Sequence, residues 1–385
     1  MQTKTFKSLA KISMDIEQRL KSALVSGNDN AEKKLKDFTQ AQVAEIVGIS
    51  RQRIFTLEKE GRLPSPRLRE SGAVDVKIYN LGEVELIRKT FGLNPPSISS
   101  DGLAAILTFS NLKGGVGKST VSVHAAQYFA LQGYKVLFVD LDPQATATSA
   151  FGYIPLRDLS IDDTIFSAIT SAPEKVEDVI RKTYWHNLDL IPSHLQLQSV
   201  DAMIYRNKSN ALGSPALRVK NALDVVRDMY DIIVIDTPPS VSLLAIGAAI
   251  TADYLVIPIV ANMPDIQATS QYFQTMSEMM DLYADEVGDS LVATKLKKSI
   301  LINRYNSNSG EQRNNLAMLR RFFNGVVLEA TVADTIEMER ASSDMQTIYE
   351  IEPRGSRDVY KRAVEMLNRA NQEILNNLIQ AANSR

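Results

Sequence analysis

Apolar residues follow two different spacings along this chain. Short runs of consecutive apolar, largely β-branched residues recur at Ile106–Phe109, Lys135–Asp140, Asp231–Asp236, Tyr254–Val260 and Ser299–Asn303. Such runs, bounded by polar positions, predict strands buried on both faces. Between them the spacing turns helical. From Lys118 onward, Val121, Val123, Ala125, Ala126, Phe129 and Ala130 form one apolar face. Near the end of the chain Val359, Ala363, Met366, Leu367, Ala370, Ile374 and Leu378 form another, over a helix expected at 357–380. Strands alternating with helices predict an α/β fold with a doubly wound, mostly parallel sheet. Residues 155–205 read as a helical insertion carrying a short strand at Leu188–Pro192.

The first hundred residues have a different rhythm. Leu9, Ile12, Met14, Ile16, Leu20 and Leu24 predict a helical arm, suited to packing on a second copy or on its own domain. Thr39 with Gln42 makes a capping box, with Phe38 placed to staple onto Val43, and this helix ends at Gly48. Ser50 then caps a second helix, with Ile49 placed to staple onto Ile54. Two short helices joined by a glycine turn predict a helix-turn-helix. Arg51, Gln52 and Arg53 fall on the first turn of the second helix, where side chains of that kind reach base edges in the major groove. Val74–Tyr79 and the arginine-rich stretch before it predict a small wing, with Arg62, Arg67 and Arg69 available to phosphates. A helix near Leu81–Phe91 closes the unit. The Pro-, Ser- and Gly-rich stretch from Gly92 to Gly102 reads as a linker. The expected division is an arm at 1–30, a small α-helical winged helix-turn-helix domain at 31–95, a linker at 96–104 and the α/β domain at 105–385.

Composition narrows the chemistry. The chain has 385 residues and no cysteine, which excludes disulfides, iron–sulfur clusters and thiolate zinc sites. Its three histidines, His124, His186 and His194, are too scattered to suggest a histidine metal site. No apolar run approaches a membrane span and the first residues lack a signal-peptide core, so a cytoplasmic location is expected. The net charge of −2 is unevenly spread: residues 1–90 hold 17 Lys+Arg against 12 Asp+Glu, leaving 26 against 33 in the remainder. A basic amino-terminal unit points mildly to nucleic acid.

The chemically decisive stretch follows the first predicted strand: Lys113-Gly114-Gly115-Val116-Gly117-Lys118-Ser119-Thr120. Glycines between a strand and a helix N-terminus let backbone amides approach a phosphate, and the helix dipole favours the anion. Lys118 is placed to reach β- and γ-phosphates and Ser119 to hold Mg2+. A glycine expected five places before Gly117 is replaced by Leu112, and an extra lysine, Lys113, opens the loop. This form resembles the deviant Walker A motif of the ParA/MinD family of ATPases, in which the first lysine reaches across a dimer to the partner's nucleotide. Asp140-Leu141-Asp142-Pro143-Gln144 resembles the switch I segment of the ParA branch. The resemblance gives Asp142 the orientation of the attacking water and Asp140 a supporting role around the metal. Asp236, ending the strand Asp231–Asp236, stands at the Walker B position, and Thr237-Pro238-Pro239 resembles switch II. The resemblance also puts Asn303 and Pro264 near adenine and ribose.

Beyond the sheet, Arg313, Arg320 and Arg321 lie on one predicted helix. Arg340 falls in a segment that carries non-specific DNA contacts in ParA proteins, although Glu337 and Glu339 flank it. The amino-terminal unit resembles the winged domain of MerR-like regulators and the one preceding the ATPase in larger partition proteins. What the resemblance implies is a DNA partition ATPase using ATP and Mg2+, closing as a homodimer and acting with a ParB-type centromere-binding protein. It also implies non-specific nucleoid DNA binding, operator binding that represses its own operon, and nucleoid association without a membrane. The alternative is a nucleotide-responsive transcriptional repressor with no partition role.

Overall fold

A computed structural model describes residues 33–71, 74–206, 212–287, 296–353 and 355–384, with a few scattered positions between 11 and 19. The predicted arm at 1–30 therefore lies almost wholly outside the described residues. Phe38–Thr39 (β1) leads into two helices, Gln40–Val47 (α1) and Arg51–Lys59 (α2). The Thr39–Gln42 capping box forms, and Gly48 ends α1 in the left-handed region at φ 75°. The hairpin Arg67–Ser71 (β2) and Val74–Tyr79 (β3) follows, then Leu81–Thr90 (α3), and β1 adds to the hairpin as a third strand beside β3.

The body is an eight-stranded sheet. Its strands are Ala105–Phe109 (β4), Val136–Asp140 (β5), Arg181–Lys182 (β6), Leu188–Ile191 (β7), Ile232–Asp236 (β8), Tyr254–Ile259 (β9), Lys297–Tyr305 (β10) and Val327–Ala333 (β11). In space they run β11-β10-β9-β4-β8-β5-β7-β6, with only β6 antiparallel to its neighbour. β4, β5 and β8 are buried along their whole length, as apolar runs covered on both faces require. The helix Lys118–Leu131 (α4) covers the sheet together with the carboxy-terminal Arg357–Ala382 (α5), which packs on β4, β9, β11 and α4. β11 was not foreseen: Glu329 and Thr331 interrupt its apolar run, and it pairs on one side only.

The amino-terminal unit is bolted to this body. Val43, Ile54, Leu57, Val84 and Ile87 share one continuous apolar cluster with Phe129 of α4 and with Leu367 and Ile374 of α5. Arg88, buried on α3, donates to the carbonyl of Leu131 at the end of α4 (2.7 Å) and to that of Ile46 on α1 (3.4 Å). Gly133 has φ 94°, and a Cβ there would sit 3.0 Å from Arg88 Cδ. The stretch expected as a linker packs against the body, with Ile98 and Ala104 buried.

A second bolt is the buried carboxylate of Glu350. It pairs with Lys33 Nζ at 2.9 Å and accepts from Gln127 Nε2, Trp185 Nε1 and the amide of Thr347, each at 3.0 Å, and from the Tyr184 hydroxyl. These donors come from the amino-terminal segment, α4, the insertion and the residues just before Glu350 itself. Nearby, His124 of α4 accepts the Ile348 amide at Nε2, so its Nδ1–H donates to the carbonyl of Thr120. Burial lowers the His124 pKa and keeps the ring neutral.

Candidate functional site

The site forms where β4, β8 and β5 end side by side. Their register sets Phe109 beside Asp236, and Asp236 beside Asp140. In open parallel sheets this carboxyl edge is where ligands gather. Asn111 braces the loop that follows β4, donating to the Pro258 carbonyl (2.9 Å) and accepting the Lys113 amide (3.0 Å). The Thr237 hydroxyl, one residue beyond Asp236, donates to the Phe109 carbonyl at 2.8 Å. The Asn111–Pro258 and Thr237–Phe109 bonds do not follow from local spacing, since each joins residues far apart in the chain.

Gly114 and Gly115 are exposed, Val116 is fully buried, and Gly117 caps α4 at φ 84°. Asn303 donates to the Val116 carbonyl at 2.7 Å, and a Cβ on Gly117 would meet the Asn303 amide nitrogen at 2.4 Å. Asn303, expected near adenine and ribose, clamps the loop in this fold. Gly117→Ala should combine left-handed strain with this collision. We expect nucleotide affinity to fall at least tenfold, and Asn303→Ala added to it to recover only part, because the strain remains. Titration with a fluorescent ATP analogue measures both.

Lys118 turns back into the loop and donates to the Lys113 carbonyl at 3.2 Å, with only 6% of its surface exposed. Burial lowers its pKa, opposed by the carboxylates of Asp236 and Asp142. Lys113 is exposed, its Nζ 4.0 Å from Asp265. Asp265 stands beside Pro264 at the start of the helix Met263–Val287 (Asn262 receives its amide), and Pro264 itself is exposed. Arg304, which no sequence motif marks, holds φ 51° and reaches within 3.5 Å of the Gly115 carbonyl.

Three carboxylates face this loop with different surroundings. Asp140 accepts from the amide and hydroxyl of Thr148 and from the Asp142 amide, yet full burial raises its pKa to about 7. Asp142 accepts the Gln144 amide, and burial raises its pKa too. Asp236 is fully buried and neither carboxylate oxygen meets a donor in good hydrogen-bond geometry, the nearby Ser119 hydroxyl included. Burial first, then Asp140, push its pKa well above the carboxylate range, while Ser119 and Lys118 favour its charged form. An orphaned buried carboxylate beside the Ser119 hydroxyl is a hard oxygen donor set that fits Mg2+, which keeps several waters and takes few protein ligands. Among the described residues no group of three or more His, Cys, Asp or Glu side chains could hold a metal by itself.

The predicted DNA-contacting residues are more scattered. Ser50 caps α2, accepting the Arg53 amide, and Arg51, Gln52 and Arg53 stand exposed on its first turn. The Arg53 guanidinium lies 5.1 Å over the Phe91 ring. Arg67 is held by Asp37 (2.6 Å) and Glu83 (3.2 Å), and Arg69 lies 3.9 Å from Glu352. Arg313 and Arg320, on the helix Gly310–Phe322, donate to the carbonyls of Ser307 and Glu329, while Arg340 pairs with Glu337 at 3.0 Å. Sequence spacing placed these arginines on surfaces and put Glu337 beside Arg340, but it did not reveal Asp37, Glu83 or Glu352.

The sequence family described as an AAA domain matches residues 104–287. A Sinorhizobium fredii protein assigned as a replication protein A is 30% identical over 358 residues, spanning 90% of this chain and 87% of that one. The SopA protein of Escherichia coli is 29% identical over 367 residues, 93% of each. The chain belongs to the ParA family. A plasmid partition protein from Borrelia burgdorferi, solved with AMPPNP, is 25% identical and covers 70% of this chain and 99% of that one, with a TM-score of 0.52. No helix among the described residues is long and apolar enough to cross a membrane.

Proposed function

We propose that this ParA-type protein binds ATP with Mg2+, hydrolyses it slowly as a sandwich dimer, and couples that cycle to DNA. The observation that carries the reading is the loop 113–120 with Lys118 folded back into it, close enough to the buried carboxylate of Asp236 for each to influence the other's charge. The AMPPNP-bound Borrelia relative supports it. Lys118 and the loop amides would hold the β- and γ-phosphates, with Ser119 and Asp236 around the metal and Asp140 supporting from Thr148. Bound Mg2+ would neutralise charge on the phosphates. Asp142 would orient the attacking water, and catalysis would come from positioning and charge rather than a strong base. Lys113, exposed at the mouth, would reach the nucleotide of a second copy.

Helices α1 and α2 with the β2–β3 hairpin would act as a winged helix-turn-helix, reading an operator through Arg51 and Gln52. Arg67 would chiefly brace the wing, given its two acids. Arg313, Arg320 and Arg340 would add contacts to nucleoid DNA, and a ParB-type partner would stimulate turnover. Gel binding to random and operon DNA, with ATP, ADP or neither, tests this. DNA binding that requires ATP supports the partition cycle. Tight binding to one sequence regardless of nucleotide, with no turnover, would leave the repressor reading.

The carboxylates add a pH signature. A carboxyl raised on folding, as at Asp140, favours the empty folded state at low pH and loses that contribution as pH rises from about 4 to about 7. Metal coordination needs the ionised cluster. Mg2+–ATP binding should therefore release protons at pH 6 and weaken by up to tenfold per unit below about 7. Calorimetry at pH 6 and 8 in two buffers of different ionisation enthalpy measures the release.

A further inference from the structure

A cleft of about 640 Å³ separates the amino-terminal unit from the far edge of the sheet. One wall is Lys34–Lys36 with Asn80–Gly82, and the other includes Lys135, Lys182 and Trp185. Lys135 immediately precedes β5, so the cleft borders the amino ends of the strands, whereas the nucleotide loop lies at their carboxyl ends. A five-residue strand puts about 17 Å between those edges. An anion in this cleft is not the nucleotide.

The lysines differ in how they are held. Lys36 is turned away, its Nζ donating to the Ile351 carbonyl and the Tyr360 hydroxyl. Lys34 is exposed and has no acid partner among the described residues. Lys135 lies 5.0 Å over the Tyr230 ring. Lys182 pairs with Asp189 but keeps 82% of its side chain exposed, so the pair holds it weakly. Among the described residues, Asp189 is the only acid lining the cleft.

We propose that Lys34, Lys135 and Lys182 form a track for the phosphate backbone of duplex DNA, extending the footprint of the amino-terminal unit onto the ATPase body. This rests on the reading of that unit as DNA-binding. Three ammonium groups from three separate segments, lining an open groove, suit a running chain of phosphates. A small phosphate ligand would need donors converging on one point. The location fits as well: Asn80–Gly82 directly follow β3, so the cleft continues from the base of the wing, where Arg67 spans Asp37 and Glu83. DNA running along the base of the wing would meet the groove next.

The test is the salt dependence of binding by the full chain, wild type against the triple variant Lys34→Gln, Lys135→Gln, Lys182→Gln. The probe is a random duplex of roughly 40 base pairs, chosen to be longer than one winged unit covers. Losing three phosphate contacts should lower the slope of log K against log salt by about 2.7. Between about 50 and 200 mM salt, wild-type affinity should then fall about forty-fold more than the variant's. ATP turnover without DNA should be unchanged. Wild-type-like slope and affinity in the triple variant would overturn the track alone. Failure of the wild-type chain to bind duplex at all would overturn the DNA reading and the track with it. Lysine-dependent binding of inorganic tripolyphosphate, with the DNA slope unaltered, would reassign the cleft to a small anion and overturn the track.

Discussion

Lys118→Ala should reduce ATP turnover about 10³-fold while leaving the fold intact. Lys118 is the one cation buried in the loop, positioned between the Lys113 carbonyl and the carboxylates of Asp142 and Asp236. Charge developing on a transferring phosphoryl group is stabilised by fixed cations in a water-poor site, and deleting one such group typically costs about 10²–10³ in rate. The upper end applies because its ammonium is already folded into the site. Without Lys118, Asp236 loses a charge that favours its ionised form, so its carboxyl is driven further toward the neutral state. A neutral Asp236 binds metal poorly, which compounds the loss. The same shift explains why folding survives: protonation removes the buried charge that would otherwise destabilise the variant. Phosphate release by the two proteins at matched concentration, with thermal unfolding as a control, measures the effect. Residual turnover within tenfold of wild type would show that Lys118 is not the phosphate-binding cation.

The central machinery was legible in the sequence because it is local. Ile106–Phe109 and Ile232–Asp236 are apolar throughout since both faces of a central parallel strand are covered, and the three glycines and two lysines between a strand and a helix leave few other uses. The Thr39–Gln42 capping box and the Ser50 cap were readable for the same reason: each needs only residues three apart. What escaped was non-local. Asn303 bonds Val116 across 187 positions, and Arg88 joins α1 to α4 through carbonyls that carry no residue identity at all. Arg67 reads as a free cation until Asp37, thirty positions earlier, is brought against it. Edge strand β11 escaped because Glu329, which is exposed, and Thr331 broke the apolar run that marks a covered strand.

Glu350 is the sharpest of these invisible residues, and Glu350→Ala should be the most destabilising single change in the chain. As a sequence position it is one acid among 45 Asp+Glu. In the fold it is 5% exposed and satisfies Lys33, Gln127, Trp185, Tyr184 and the Thr347 amide together. Removing it strands several buried donors and leaves Lys33 facing them, with the carbonyls of Ala150 and Met345 and the Tyr184 ring as its partners among the described residues. Breaking one partner out of a buried pair costs about 3–5 kcal/mol, because the remaining charge stays desolvated. Burial already lowers the Lys33 pKa, and the Glu350 carboxylate is the chief force opposing it. In the variant Lys33 should lose its proton more readily, which recovers part of the cost as the pH rises. Urea unfolding followed by the fluorescence of Trp185, the sole tryptophan and itself a donor to Glu350, reports on this joint directly. A midpoint unchanged from wild type would mean the carboxylate is dispensable. Lys33→Met paired with Glu350→Ala should cost less than the two single changes added together, since the second replacement removes a charge the first has orphaned. If the joint is what fixes the amino-terminal unit on α4, protease cleavage should also move to residues near Leu35 in the single variant and retreat in the double.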